Sequence, residues 1–195
     1  MSLLTSTIPT PVGPLTLVAS DGVLRAASFT DQPAEVHARL EPTARQEESR
    51  RTDDLGPITD ALRAYFDGEV GAIDSLPVEQ AGSTWFQSAW KVMREVPAGS
   101  TISYRELATR VGDAGNARVA GFACARNQIV LVVPCHRIVR TGGSLGDYYY
   151  GLDVKSWLLR HEGVDVGLPF EGDPPAAMAG AAARQAARSR QRTAR

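Results

Sequence analysis

With 195 residues, 43% of them hydrophobic and 22% charged, the chain is long enough for one generous domain or two small ones around a real core, and its composition is that of an ordinary globular protein. Its formal net charge of -1 gives no bulk attraction for nucleic acid; no run approaches the roughly 20 apolar residues of a membrane span, and MSLLTSTIPTP lacks the basic start and apolar core of a secretory signal, which points to the cytoplasm. Two cysteines, Cys124 and Cys135, and three histidines, His37, His136 and His161, show no C-x-x-C or H-x-x-x-H spacing, so neither a disulfide framework nor a metal site is expected.

The first 30 residues alternate like strands. TLVAS (16–20) and VLRAASF (23–29) flank Asp21-Gly22, a dipeptide that favours a tight hairpin turn. Residues 31–56 turn polar and charged without an apolar period, and part of them reads as loop. After Pro57, the positions Ile58, Ala61, Leu62, Tyr65 and Phe66 recur at helical spacing, which predicts an amphipathic helix ending near Asp67-Gly68. These pieces make a small α+β unit, residues 1–78.

A second unit, residues 79–166, opens near Ser83. There Thr84-x-x-Gln87 is expected to form a capping box ahead of Phe86, Ala89, Trp90 and Met93 on one helical face, and Pro97-Ala98-Gly99 ends that helix. SYRELATRVG (103–112) and NARVAGFACARN (116–127) are two short helical patterns joined at Asp113-Ala114-Gly115, a helix-turn-helix shape. Ile129–Val133 is a strand candidate. GLDVKSWLLRHEG (151–163) predicts a helix with Val154, Trp157, Leu158 and His161 on one side and Gly163 as its stop. Beyond Val166 the chain is rich in Pro, Gly and Ala, and Ala176–Arg195 holds five arginines and no acid, so residues 167–195 read as a disordered basic tail.

The chemistry concentrates at IVLVVPCHRIVR (129–140). A cysteine in apolar surroundings is ordinarily a small core residue. Here Pro134 cannot continue a central strand, His136 supplies a base and Arg137 adds positive potential that favours thiolate, so Cys135 reads as a nucleophile. By themselves these residues suit a cysteine hydrolase or a redox thiol equally. Cys124, among Phe122, Ala123 and Ala125, reads as packing, and His161 as structural. Glu162 suits either a helix surface or the orientation of a histidine in the right tautomer.

The second helix of the helix-turn-helix carries Ala117, Ala120, Gly121, Ala123 and Ala125, whose small size permits close approach. Arg118 and Arg126 at its two ends suit phosphate contacts, and Arg118 alternatively suits a gap in a base stack. In GDYYYG (146–151), three adjacent tyrosines read as a packed turn, or as phenols that stack on a base or donate a proton.

Taken together, PCHR after an apolar run, SYRELA before a helix-turn-helix, the NAR-type helix, Asn127 and GDYYYGLDVKSWLLRHEG closely resemble the O6-alkylguanine-DNA alkyltransferases. The resemblance covers roughly residues 83–163, and TPVGPLTL (10–17) looks like the start those proteins share. It implies an α+β fold: a small N-terminal sheet-and-helix domain, ribonuclease-H-like, followed by a mostly helical domain of the winged helix-turn-helix type. It also implies direct, single-turnover alkyl transfer from O6-alkylguanine, and from O4-alkylthymine, in duplex DNA, without a cofactor, by a monomer whose cooperativity on DNA is left open. Under it Cys135 would be the alkyl acceptor, His136 the base acting through a water, and Glu162 the carboxylate that steadies the imidazole. Tyr104 would protonate the departing guanine, and Asn127 would brace the active-site turn. Arg118 would replace the extruded nucleotide from the DNA-facing helix that carries Ala117, Ala120, Gly121 and Arg126. Tyr148 and the backbone of Tyr149 would line the base pocket with Lys155 nearby, while the carbonyls of Cys135 and Ile138 would hold the guanine amine.

Three features depart from that pattern. Asp147 puts a negative charge near the site, Tyr149 and Tyr150 are bulky and predict a pocket that prefers methyl over benzyl adducts, and the Arg-rich tail has only nonspecific phosphate attraction to offer. Two competing readings stand beside the repair reading: a noncatalytic DNA-lesion binder, against which the presence of Cys135 weighs, and a cysteine hydrolase, which would need neither Arg118 nor the helix-turn-helix.

Overall fold

The computed structural model describes residues 2–166; the proposed tail, 167–195, lies outside them. The first half is a four-stranded sheet in the order β3-β2-β1-β4, formed by β1 (Leu3–Ile8), β2 (Leu15–Ser20), β3 (Val23–Phe29) and β4 (Ser49–Arg51). Strands β1, β2 and β3 pair antiparallel and β4 joins β1 in parallel. The expected hairpin forms between β2 and β3, with positive φ at both Asp21 and Gly22, the backbone a tight turn between right-twisted strands requires.

All six residues of β2 are buried, because both faces of the sheet are covered. Leu15, Leu17 and Ala19 enter the main core on one face. Val18 enters a smaller cluster on the other with Leu3, Ala26, Val36, Leu40 and Ala44. Short helix α1 (Pro33–His37) supplies Val36 and so caps the second face from within the polar stretch that reads as loop.

Helix α2 (Pro57–Phe66) starts with Pro at its first turn, where no backbone N–H is needed, and buries Ile58, Leu62 and Tyr65 as its period predicts. Helix α3 (Thr84–Glu95) corrects the capping box. Its cap is Ser83, whose hydroxyl accepts from the Phe86 N–H, while Gln87 reaches back to the Gln80 carbonyl at 2.6 Å. Ser83 wins because its own extended backbone leaves the first free N–H in reach, and Thr84 is already inside the helix.

After β5 (Ile102–Ser103) come α4 (Tyr104–Val111) and α5 (Ala117–Arg126), each capped by its preceding residue, Ser103 and Asn116. Gly112, at φ 95, ends α4. The two helices pack through Leu107, Ala108, Ala120 and Ala123, all fully buried, and the Trp90 indole donates to the Ala123 carbonyl at 2.9 Å, tying α3 to α5.

The apolar run 129–133 is not a strand. Only Ile129 bridges to Ala27; the chain then turns, with Leu131 at φ 71 and the Val133 N–H returning to the Ile129 carbonyl at 2.9 Å. Short β6 (Ile138–Val139) pairs in parallel with β5, and α6 (Leu152–His161) ends at Gly163, whose N–H bonds the Arg160 carbonyl at 2.8 Å. His161 donates to the Tyr65 carbonyl at 2.7 Å and stacks on Trp157, a structural role. One main core contains residues of both halves. Among the described residues no helix is long and apolar enough to cross a membrane.

Candidate active site

Cys135 opens a single 3-10 turn, Cys135–Arg137, and is 7% exposed. Its position is fixed by Asn127, the residue that ends α5. The Asn127 amide donates to the Val133 carbonyl at 2.7 Å and to Cys135 Sγ at 3.3 Å. Its carbonyl accepts from the Ile129 N–H at 3.0 Å and from Gln80 Nε2 at 3.1 Å. One buried amide thus satisfies the backbone of an irregular turn and touches the thiol. That explains how an apolar run leaves strand geometry without orphaning its polar groups.

Burial pushes the Cys135 thiol up, and the Asn127 hydrogen bond and the Lys155 charge oppose that rise without cancelling it. At neutral pH the sulfur keeps its proton until a base removes it. Arg137 does not help. Its guanidinium turns away from the thiol and forms two bonds to Glu162, Nε to Oε2 and Nη2 to Oε1, each 2.9 Å, plus a third from Nη1 to the Val96 carbonyl at 2.6 Å. The positive potential expected of it is absorbed by that carboxylate.

His136 is fully buried behind the cysteine, and its Nε2 lies 2.8 Å from Glu162 Oε1. Burial alone raises the Glu162 carboxyl, but the bonds and charges of His136 and Arg137 outweigh it and hold the group at about 2. Burial lowers His136, so the imidazole is neutral at pH 7 and Arg137 is the cation that carries ionised Glu162. An ionised carboxylate only accepts, so Nε2 bears the proton and Nδ1 presents a lone pair. Nδ1 is buried with no hydrogen-bond partner among the described residues. A neutral imidazole with a fixed tautomer has the chemistry of a general base, and it adjoins the cysteine in the chain. Tyr65, from α2, completes the Glu162 shell at 2.8 Å.

In front of Cys135 lies a cavity of about 560 Å³. Cys135, Asn127, Tyr104, Tyr148 and Tyr149 line it, and Ala117, Arg118 and Gly121 of α5 face it. Tyr104 donates to the Asp147 carbonyl at 3.4 Å, and burial raises its hydroxyl above the ordinary phenol range, so it holds a proton to give. Gly146, at φ 69, is required beside it, since a Cβ there would stand 3.0 Å from the Tyr104 ring.

Ala120 and Arg126 lie away from the cavity, and Lys155 stands behind it with Nζ 5.9 Å from the Tyr104 ring. Ala120 points into the core rather than outward, because the helix period that puts Ala117 and Gly121 at the cavity turns position 120 inward. Arg126 is exposed at the end of α5, off the cavity. Lys155 is fully buried; its Nζ donates to the Ile138 and Leu145 carbonyls, each at 2.5 Å, and burial lowers it to about 8. The Ile138 carbonyl thus accepts from Lys155, with its second lone pair left over. Cys124, read as packing, lines the cavity wall.

Arg39 and Phe122 also line the cavity without being expected there, and Tyr150 lines it as its bulk predicts. Arg39 sits over the Tyr149 ring at 5.3 Å and donates to the Asn127 carbonyl at 3.3 Å. Tyr150 is hydrogen-bonded to Ser28 at 2.7 Å. Among the described residues no three His, Cys, Asp or Glu side chains gather as metal ligands would.

Two family models match this chain: 6-O-methylguanine DNA methyltransferase, ribonuclease-like domain, over residues 3–80, and 6-O-methylguanine DNA methyltransferase, DNA binding domain, over residues 84–164. The methylated-DNA–protein-cysteine methyltransferase of Shigella flexneri is 36% identical over 166 residues, covering 84% of this chain and 97% of its own. That of Mycobacterium tuberculosis strain H37Rv is 35% identical over 159 residues, covering 80% and 90%. Among solved structures, Mycobacterium tuberculosis O6-methylguanine methyltransferase superposes with a TM-score of 0.67 at 32% identity, covering 82% of this chain and 92% of that one. Mycobacterium tuberculosis OGT in complex with DNA gives 0.68 at 31% identity, with the same coverage.

Proposed function

The chain belongs to the 6-O-methylguanine DNA methyltransferase family, and from that premise we propose that it repairs duplex DNA by moving the alkyl group of O6-alkylguanine, and of O4-alkylthymine, irreversibly onto Cys135. The reading extends to a cytoplasmic monomer that needs no cofactor, with residues 1–78 forming a sheet domain, 79–166 the DNA-binding and acceptor domain, and 167–195 a tail with general affinity for phosphate.

The observation that carries it is the cavity in front of Cys135. It joins the thiol to the helix that bears Arg118 and Gly121, so a base turned out of a duplex lying on α5 would arrive at sulfur. An alkyl carbon inside a stacked duplex is out of reach of any side chain, so the nucleotide must be extruded. Arg118 fills the gap it leaves, the open face of Gly121 lets the backbone come close, and Arg126 holds phosphate beyond. Ala117 flanks Arg118, whereas Ala120 serves from beneath by packing α5 on α4.

In the reaction, His136 Nδ1 takes the Cys135 proton through a water, and Glu162 stabilises the imidazolium that results. Sulfur attacks the alkyl carbon in line. A carbon–sulfur bond forms, the carbon–O6 bond breaks with its electrons passing to the purine, and Tyr104 gives the released guanine a proton. Tyr148 and the backbone of Tyr149 hold the base. The Cys135 and Ile138 carbonyls, each with a lone pair beyond the bond it already accepts, receive the guanine amine, while Lys155 supports that segment by binding the Ile138 carbonyl. A thioether has no carbonyl for water to attack, so each molecule acts once.

The test is to incubate the protein with a duplex carrying one O6-methylguanine and weigh the intact chain. One methyl replacing one proton, mapped to Cys135 and absent from Cys135→Ser, is expected. Binding without a mass change would establish a lesion binder instead, and repeated turnover of an acyl ester would establish a hydrolase.

A further inference from the structure

The cavity-facing side of α5 is made of small groups, Ala117, Gly121 and Ala125, with Arg118 among them. A Cβ on Gly121 would meet nothing within 4 Å, so this face is open where the backbone would approach a duplex. Phe122 breaks the pattern. It lines the same cavity and is 55% exposed, the most exposed large hydrophobic side chain among the described residues. Tyr148, Tyr149 and Phe29 each pair with Tyr150, and the Tyr104 ring faces Lys155 Nζ at 5.9 Å. Among the described residues Phe122 takes part in no such ring pair. At one helical turn on either side stand Arg118 and Arg126, both exposed.

We propose that Phe122 is a specificity-determining residue for double-stranded substrate: its ring enters the groove beside Arg118 and stacks on a base that extrusion has left without its neighbour. The inference rests on the reading of the site as a DNA alkyltransferase. Extrusion opens a gap whose walls are base faces, and an aromatic ring covers such a face whatever the sequence, because every base has one. Arg126, one turn further on, reaches a phosphate and holds the ring at the groove. Arg118 replaces the missing nucleotide, and Phe122 covers a face that Arg118 leaves in water. A free nucleobase entering the cavity has no such gap, so the contribution of Phe122 belongs to the duplex alone.

The experiment compares full-length parent, Phe122→Ala and Phe122→Tyr. For each, the methylation rate of Cys135 is measured by intact mass, once with a duplex holding a single O6-methylguanine and once with free O6-methylguanine base. The expected result is a drop of about tenfold in the ratio of duplex to free-base rates for Phe122→Ala, the effect of losing one base–aromatic stack, and a ratio restored by Phe122→Tyr. An unchanged ratio in Phe122→Ala, or a ratio that Phe122→Tyr fails to restore, would overturn the proposal. Failure of the parent to methylate Cys135 with either substrate would instead remove the alkyl-transfer reading, and this inference with it.

Discussion

The Tyr65 hydroxyl donates to Glu162 Oε1 across 2.8 Å, so a helix of the first half closes the hydrogen-bond shell of the carboxylate that faces His136. Tyr65 is fully buried, and Tyr65→Phe removes the donor while keeping the ring. A buried hydrogen bond to a charged group contributes about 1.5–3 kcal/mol. The unfolding free energy of Tyr65→Phe in urea is expected to fall by that amount, seen as a lower midpoint at unchanged slope, with helix content unchanged. A variant as stable as its parent would mean that His136 and Arg137 satisfy Oε1 by themselves.

The same carboxylate makes stability depend on acid. Glu162 is held at about 2, below the usual value of 4.5, so its contribution is fully present above 4.5 and is lost as pH falls toward 2. Glu162→Gln strands the buried Arg137 guanidinium, at a cost of about 3–5 kcal/mol near neutrality. The stability gap between parent and Glu162→Gln is expected to narrow below pH 4.5, as the parent takes up its proton. Denaturation curves across that range measure it, and a gap that stayed constant would show that Glu162 is not the ion supporting Arg137.

For the proposed reaction, the state of His136 sets the acid limb. Burial pushes the imidazole below its ordinary value of 6.5, against the pull of Glu162, so the free base persists to lower pH than it would in water. The rate of Cys135 methylation is expected to hold level as pH is lowered through 6.5 and to decline only beneath it. Single-turnover rates on a methylated duplex across this interval give the answer. A half-maximal rate at or above 6.5 would contradict the neutral, Glu162-oriented imidazole.

Asn127 carries more of the site than any other uncharged side chain. Asn127→Ala leaves the Ile129 N–H buried without its acceptor at 3.0 Å, and takes from the Val133 carbonyl one of its two donors, the Cys135 N–H at 2.9 Å staying in place. One orphaned buried group costs about 1–3 kcal/mol, so a loss on the order of 2 kcal/mol is expected in urea. Faster labelling of Cys135 by a thiol reagent should accompany it, because the turn that buries the sulfur loosens. Asn127→Ala with parental stability would mean that the backbone of 129–133 satisfies itself.

What the sequence makes legible is what neighbouring residues decide. The Asp21-Gly22 turn, α2, α4, α5 and α6 follow from local spacing and caps, and Cys135 and His136 stand out because they adjoin. Strand β4 is Ser-Arg-Arg and wholly exposed; only its parallel pairing with β1 makes it a strand, and pairing at that distance leaves no local pattern. The run 129–133 misleads for the opposite reason. Its composition is that of a buried strand, but the side chain of Asn127 satisfies a turn there instead. Arg39 reaches Asn127 across 88 positions and Tyr65 reaches Glu162 across 97, so neither announces itself. Arg137 is misread because adjacency to Cys135 does not reveal which way a long side chain turns.

Tyr149 and Tyr150 bear on which adducts the cavity accepts, and the structure separates their parts. Tyr150 is 3% exposed, bonded to Ser28 and edge-on to Phe29 with ring centres 5.2 Å apart; it is a fixed wall tied to the first half. Tyr149 is 44% exposed at the rim, with the Arg39 guanidinium 5.3 Å from its ring centre. A bulky leaving adduct must pass the rim and fit against the wall. O6-methylguanine is therefore expected to react faster than O6-benzylguanine in the same duplex, and tenfold selectivity corresponds to about 1.4 kcal/mol of differential transition-state binding. Tyr149→Ala is expected to raise the benzyl rate more than the methyl rate, because it widens the rim without disturbing the core. Tyr150→Ala should chiefly destabilise the fold, by about 3–5 kcal/mol as for other buried aromatic rings. Equal rates for the two lesions in the parent would refute the narrowing. Selectivity that survives Tyr149→Ala would move its cause from the rim to the Tyr150 wall.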